Sequence, residues 1–272
     1  MKRDDVALEM REQYRRHVLG KTLILLGSLL LLLVLVIWSV SIGSADLTFG
    51  DVVRALLSRF SSRITVPEFN YDIVWSSRLP RVLMAVISGM GLSISGVQMQ
   101  GITGNPLVSP FTLGVHWTFG TFTGTDWSEV TIVAVVLLVC MPLCLKEAWS
   151  LNAITAGGNE VARSLGVNAG RVRIVSVVLS SLMTATVVSF TGVIGFVCLV
   201  APHLARYMIG GDHRFLLPLA GVFGAILTVV SDIVGRVILE PIILPVSIVI
   251  SFVGVPLFLY MVLTNKKDFW AR

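Results

Sequence analysis

Charge is scarce in this sequence. Only 14% of its 272 residues are Asp, Glu, Lys or Arg, where a soluble domain carries about 25%. Hydrophobic residues make up 55%, and the mean hydropathy is +0.86. A single water-soluble core cannot take up that much apolar surface, so the bilayer is the expected solvent. Alternating apolar and polar stretches are absent, which excludes a strand-built fold and leaves no soluble domain. Cysteine is rare: Cys140, Cys144 and Cys198 all sit inside apolar runs. Cys140 and Cys144 share a helix face, but no His or further Cys completes a metal set. They read as small lipid- or core-facing residues rather than ligands or a disulfide. There is no H-E-x-x-H, which argues against a membrane metalloprotease, and no G-x-x-x-x-G-K-[ST] loop for a nucleotide phosphate. No acid lies inside an apolar run of the first half, which counts against a channel or secondary transporter built on paired intramembrane acids. The net charge of +5 would suggest nucleic acid in a soluble chain. Here it reflects basic residues held on the cytoplasmic side, and no nucleic-acid partner is expected.

What the sequence does contain is apolar runs. Residues 1–21 are polar and mixed, with six basic residues, and are expected to lie in the cytoplasm. The run 22–43 follows, long enough for the roughly 20 residues a crossing needs. No small-residue A-x-A cleavage site follows it, so it is expected to be retained as a first helix. Residues 44–79 read as an outer loop, with a short interfacial helix in "DLTFGDVVRALLSRF". Further crossings are expected at 80–100, at 129–145, at 174–209 as two spans bent at Gly192 and Gly195, at 215–235 and at 242–263. The fold class is therefore an all-α polytopic membrane protein with about seven transmembrane helices. Small residues recur four apart in the second run, Gly89 with Ser93 and Gly91 with Ser95. That spacing suits close helix packing, and it also suits the lining of a pathway, as does the small-residue run 186–195. Residues 146–173 form a polar, basic, cytoplasmic loop. The basic tail 265–272 is cytoplasmic as well.

These placements settle the stretch "LVAPHLARYMIGGDHRFLLP". Two spans separate it from the 146–173 loop, so it also faces the cytoplasm. His203, Asp212 and His213 are expected in a hydrated turn with helix-end charges, not at a metal centre. Asp232, Arg236 and Glu240 fall at i, i+4 and i+8 near an outer helix end. An acid so close to hydrocarbon needs a partner, and Arg236 is within reach.

Four strings, in order, resemble the FecCD-type, cobalamin-permease-like permease subunits of ABC importers for iron–siderophore complexes, haem and cobalamin. They are "RLPRVLMAVISGMGLSISGVQMQGITGNPLVSPFTLGV" (78–115), "NEVARSLGV" (159–167), "GVIGFVCLVAPHLARYMIGGDHRFLLPLAGVFGAILTVVSDIVGR" (192–236) and "LPVSIVISFVGVPLFLYMVL" (244–263). The resemblance implies one transmembrane permease domain over 1–272, in the cytoplasmic (inner) membrane of a prokaryote. It implies two copies of a separate ATP-binding subunit, a second permease subunit, identical or paralogous, and a periplasmic or surface substrate-binding protein. It implies no cofactor and no covalent chemistry in this chain. Arg78, Arg81 and Arg236 resemble the arginines that receive acidic residues of the binding protein, a task suited to the planar guanidinium fork. Interfacial anchoring by Arg78 and Arg81, and a helix-end ion pair between Asp232 and Arg236, are the plainer readings. Glu160, Ala162, Arg163 and Gly166 resemble the cytoplasmic helix that seats in the ATPase, with Asn159 as its cap. An ordinary amphipathic connector is the alternative.

The chain also departs from that pattern. The family normally has ten spans, and here "LGV" (113–115) runs straight into the segment resembling the approach to the sixth. For Glu160 to lie inside, 111–124 must cross, although 14 helical residues reach only about 21 Å against about 30 Å of hydrocarbon. Two readings follow: a working permease, or a shortened relative that no longer transports and serves in binding or assembly or in nothing.

Overall fold

The first apolar run does not start a helix; it continues one. In the computed structural model, which describes residues 2–43, 47–61, 64–104, 120–239 and 242–264 (without the side chains of 2–10, 261, 262 and 264), α1 runs unbroken from Lys2 to Ser41. At 1.5 Å per residue its 40 residues span about 60 Å, twice the hydrocarbon thickness. The polar residues 2–21 are thus the cytoplasmic half of a single rod.

After α1 come α2 (Phe49–Ser58), α3 (Glu68–Asp72), a π turn (Ile73–Arg78), α4 (Leu79–Thr103), α5 (Trp127–Ser164), α6 (Ala169–Thr191), α7 (Val197–Ile209), α8 (His213–Val237) and α9 (Val246–Thr264). Among the described residues five helices are long and apolar enough to cross a membrane: α1 from Arg11, the continuous α3–π–α4 rod, α5, α6 and α8. The shorter apolar helices α7 and α9 complete the set. The interfacial helix expected before the second span is α2. Thr48 and Asp51 cap it reciprocally, and its Val52 and Ala55 are buried against Val40 and Val74.

α4 is the axis of the bundle. Every residue from Gly91 to Ile102 is buried, as expected of a helix surrounded on all sides. Its small residues set the distances to its neighbours. Gly89 meets Gly224 of α8 so closely that a methyl on either would overlap the other's carbonyl oxygen. Around that crossing Thr228 Oγ1 donates to the Ala85 carbonyl at 2.7 Å and Ser93 Oγ to that of Ala220 at 2.6 Å. On another face Gly91 lies against Val187 and Leu137, and Ser95 Oγ donates to the Ser180 carbonyl of α6 at 3.3 Å. Both small-residue pairs are used, each for a different neighbour. The run 88–96 is occupied by helix packing.

Two elements differ from expectation. The third span does not stop at 145: α5 stays helical to Gly158, whose φ of 69° and ψ of −163° break it before a last short helical piece. Leu151, Ala153 and Ile154 are buried against Met99, Ile102 and Val172, so this supposedly polar loop carries an apolar face that packs. The second half of 174–209 is also shorter than a crossing. The 13 residues of α7 reach about 20 Å. The rest of the depth is taken by residues 192–196, between the bends at Gly192 (φ 71°) and Phe196 (φ 64°). Irregular backbone at membrane depth must find partners inside the protein. Gly120 N donates to the Val193 carbonyl at 3.0 Å, Thr121 N to that of Thr191 at 2.9 Å, and Ser247 N to that of Gly120 at 3.3 Å. The Phe196 ring fills the notch over Gly254 of α9.

Contacts define two ends. At one end Trp127 Nε1 donates to the Trp75 carbonyl at 2.7 Å, and the last turn of α1 meets the starts of α4 and the end of α8. At the other, Lys21 lies 5.4 Å over the Phe215 ring and Gln100 meets Arg206. The second end holds the basic first half of α1 with Arg163, Arg171 and Arg173, which makes it the inner one. Gly104 then lies inside and Trp127 outside. The crossing expected of 111–124 falls mostly outside the described residues, and so do Glu240 and the tail 265–272.

Candidate functional site

At the outer end two arginines, Arg81 and Arg236, converge on the carboxylate of Asp232. Arg81 donates from Nε to Asp232 Oδ1 at 2.9 Å, with Nη2 at 2.8 Å from the same oxygen. Arg236 Nη2 lies 3.1 Å from Asp232 Oδ2, one helical turn along α8. Asp232 is 1% exposed, and an ionised carboxylate at that depth is tolerable only with such partners. Arg78 and Arg236 also cap α1. Arg78 Nη1 donates to the carbonyls of Val40 (3.0 Å) and Ser41 (3.1 Å). Arg236 donates to those of Ile42 (2.6 Å) and Ser39 (3.2 Å), and to Ser39 Oγ (2.6 Å). The last carbonyls of a helix have no partner within it and carry its negative dipole end, so cations belong there. The π turn before α4 inserts its extra residue just ahead of Arg78, a device that redirects side chains in helices.

The arginines floor a cleft of about 530 Å³ whose walls include Phe69, Thr123, Thr125 and Asp126. Arg81 and Arg236 share the one carboxylate of Asp232, and the Arg78 guanidinium lines the same floor. The structure brings Arg78, Arg81, Arg236 and Asp232 to one place, as the helix-end reading of the sequence required for Asp232 and Arg236. Sequence reasoning missed the Arg81–Asp232 pair and the capping of α1. A lone acid in an apolar run signals that a partner exists, but not that it lies on another helix.

At the inner end the piece after Gly158 is a short helix fastened on one side only. Ala162 is fully buried beside Val167 and Val172, while Glu160 and Arg163 are exposed. Val161 and Leu165, 43% and 53% exposed, form an apolar pair one turn apart on the open face. Gly166 ends the helix with φ 77°. Val167 N donates to the Ala162 carbonyl at 2.8 Å and Gly166 N to that of Arg163 at 3.0 Å, the bonds of a Schellman ending. Asn159 Oδ1 accepts from Arg173 Nη2 of α6 at 3.0 Å, which ties the start of this helix to its neighbour.

Beside it a cleft of about 970 Å³ opens between Gln100, Asn152, Arg173, His203, Arg206 and His213. His213 is buried (2% exposed) and bonded to Asn152. Asp212 caps α8, accepting from Arg214 N at 3.1 Å. The Arg214 guanidinium first, and Asn152 after it, hold the Asp212 carboxyl well below the usual carboxylate range against the opposing effect of burial. Among the described residues no three His, Cys, Asp or Glu side chains group as metal ligands would.

Comparison with known proteins places these ends in context. The model of the FecCD transport family matches residues 31–116 and 115–264. A Methanocaldococcus jannaschii protein, provisionally named an ABC transporter permease, is 29% identical over 354 aligned positions, covering 96% of this chain and 99% of that protein. The haemin transport system permease of Yersinia pestis is 27% identical, over 90% of this chain and 97% of its own. A solved structure, described as an inward-facing conformation of a provisionally assigned metal-chelate type ABC transporter, superposes with a TM-score of 0.75 at 25% identity. It covers 88% of this chain and 98% of that one. The first alignment is longer than the 272-residue chain, and the two family matches meet at residues 115–116. The relative therefore has aligned positions with no counterpart in this chain, enough in number for three crossings of about 20 residues with their turns.

Proposed function

The chain belongs to the FecCD transport family, and from that premise we propose that it is the permease subunit of an importer moving an iron-chelate-type substrate across a prokaryotic cytoplasmic membrane. A separate ATPase, present as two copies, supplies the energy, and a second permease subunit completes the pathway. The observation that carries this reading is the exposed face of the short helix after Gly158. A helix with one side buried through Ala162 and the other offering Val161 and Leu165 between Glu160 and Arg163 is built to seat in another protein's groove. Residues 159–167 are thus the ATPase-coupling segment.

The outer cleft supports the second half of the reading. Its positive floor of Arg78, Arg81 and Arg236 suits carboxylates of a substrate-binding protein, since guanidinium groups pair with carboxylates bidentately. The cargo is a class and not one chelate, since relatives of near-equal identity are named for haemin and for iron(3+)-citrate.

A second reading is favoured by one specific observation, a family match that falls in two parts meeting at 115–116 in a chain shorter than its alignment with a relative. In it the chain keeps its docking and coupling ends but no longer transports. Uptake of labelled ferric siderophore separates the two, in cells supplying the ATPase and binding protein with this chain as sole permease. A version with three restored middle spans is the control. Uptake by the 272-residue chain supports the permease reading. Uptake by the restored version alone supports the second.

A further inference from the structure

Asn152 lies six residues before the Gly158 break, about 9 Å along α5, and it holds two consecutive residues of another helix. Its Nδ2 donates to Asp212 Oδ1 at 2.8 Å. Its Oδ1 accepts from the His213 backbone N at 2.8 Å and lies 2.8 Å from His213 Nδ1. An amide oxygen only accepts, so Nδ1 carries the ring proton and the amide orientation is set by its three partners. The far side of the imidazole fits against Gly101 of α4, where a methyl group would come within 2.8 Å of Nε2. Asp212 in turn caps α8 and pairs with Arg214 at 2.8 Å. One side chain of α5 therefore grips both the cap and the first residue of α8.

What α8 does beyond that grip gives it consequence. It runs 25 residues, about 37 Å, to the turn that carries Asp232 and Arg236. Along the way it is locked to α4 at the Gly89–Gly224 crossing and by the bonds of Ser93 and Thr228. Apolar packing between α5 and this pair is non-directional and permits sliding. Hydrogen bonds to a specific donor and a specific acceptor do not.

We propose that Asn152 is the positioning residue that makes the inner end of α5 and the start of α8 move as one body. A displacement of the 159–164 helix by the ATPase is thereby passed through α8 to the arginine cluster at the outer end, and a load on the outer end is passed back. The inference rests on 159–167 being the coupling segment.

The test uses the complete transporter in proteoliposomes: this chain, its second permease subunit, the ATPase and the binding protein, loaded in turn with ferric citrate, haemin and a ferric hydroxamate. Asn152→Asp places a carboxylate against that of Asp212 and breaks the grip. Asn152→Asp with Asp212→Asn restores the side-chain contact, because the new carboxylate accepts from His213 and from the new amide, although that amide gives up the cap on Arg214 N, whose bond Asp212 accepts through the same Oδ1. The single variant is expected to co-purify with the ATPase and to keep its KM for ATP. Its fold-stimulation of ATP hydrolysis by loaded binding protein is expected to fall to about one, and the double variant to recover at least half of the native ratio. Full stimulation in Asn152→Asp overturns the proposal. So does a loss that only tracks a smaller amount of assembled complex, as a purely structural role would give. Glu160→Lys separates the two claims. If it uncouples while Asn152→Asp does not, the Asn152 inference alone fails; if it leaves coupling intact, the coupling assignment fails and takes the inference with it.

Discussion

Arg81 and Asp232 are 151 residues apart in the chain and form an ion pair at the outer end, 2.8 Å from Nη2 to Oδ1, with the carboxylate side chain fully buried. The pair joins the start of α4 to the end of α8 beneath the arginine-floored cleft. It holds together what the Gly89–Gly224 contact packs together deeper in the bilayer.

Removing the carboxylate takes away the counter-charge that the Arg81 and Arg236 guanidinium groups share. Asp232→Ala is expected to destabilise the protein by about 3–5 kcal/mol, the usual cost of orphaning one side of a buried pair. Asp232→Ala combined with Arg81→Leu recovers part of that loss. Denaturant titration in mixed micelles, followed by helicity, measures both. Equal stability of Asp232→Ala and the native chain would mean that the pair contributes nothing.

Docking at the outer cleft should depend on charge and be screened by salt. Arg78→Gln with Arg81→Gln, and Asp232→Asn beside them so that no buried carboxylate loses its partner, is expected to weaken capture of the binding protein about tenfold or more while leaving ATPase co-purification intact. For the native chain the dissociation constant should rise steadily with ionic strength, as the Debye length shrinks from about 10 Å at 0.1 M to about 3 Å at 1 M. Surface-plasmon measurements on nanodisc-held protein give both numbers. A docking constant indifferent to both changes would remove the arginines from the interface.

The α4–α8 crossing tolerates no side chain. Gly89→Val or Gly224→Val is expected to cost about 1–3 kcal/mol or to block folding, because the added carbons meet carbonyl oxygen of the facing helix rather than a side chain that can turn away. Gly20→Ala in α1 is the matched control. Nothing lies within 4 Å of that position, and exchanging glycine for alanine inside a helix favours the helix by up to about 1 kcal/mol. The same titration orders the three variants.

The coupling helix depends on Gly166 for its exit. At φ 77° any other residue strains the backbone by about 1–2 kcal/mol, so Gly166→Ala frays the Schellman ending and misplaces Val161 and Leu165. It is expected to lower the fold-stimulation of the ATPase several-fold with global stability nearly unchanged. Glu160→Lys, which alters only the exposed face, is expected to uncouple without any loss of stability. Normal coupling in both variants would count against residues 159–167 as the contact.

Much of this was legible in the residues. Periodicity and length located the apolar runs, and the basic residues oriented them. Gly192 marked the bend that divides α6 from α7. The Gly89/Ser93 and Gly91/Ser95 spacings announced close packing, though not that the two pairs serve different helices. The basic composition of 146–173 concealed the apolar face of Leu151, Ala153 and Ile154, so a helix was read as a loop. The brevity of α7 was hidden because hydropathy scores a residue's affinity for lipid and not its backbone conformation. Residues 192–196 are as apolar as a helix, yet they are non-helical between two bends, and the Val193 carbonyl is bonded to Gly120.

The sequence by itself determined the solvent, the handful of crossings and which ends face inward, because transfer free energy and charge placement are properties of each residue and simply add along the chain. Only the tertiary structure decided the partners: Arg81 with Asp232, Arg78 and Arg236 with the last carbonyls of α1, Asn152 with Asp212 and His213. Those pairings join residues between about forty and two hundred positions apart. They depend on how α4 lets its neighbours approach, and no local pattern carries that information.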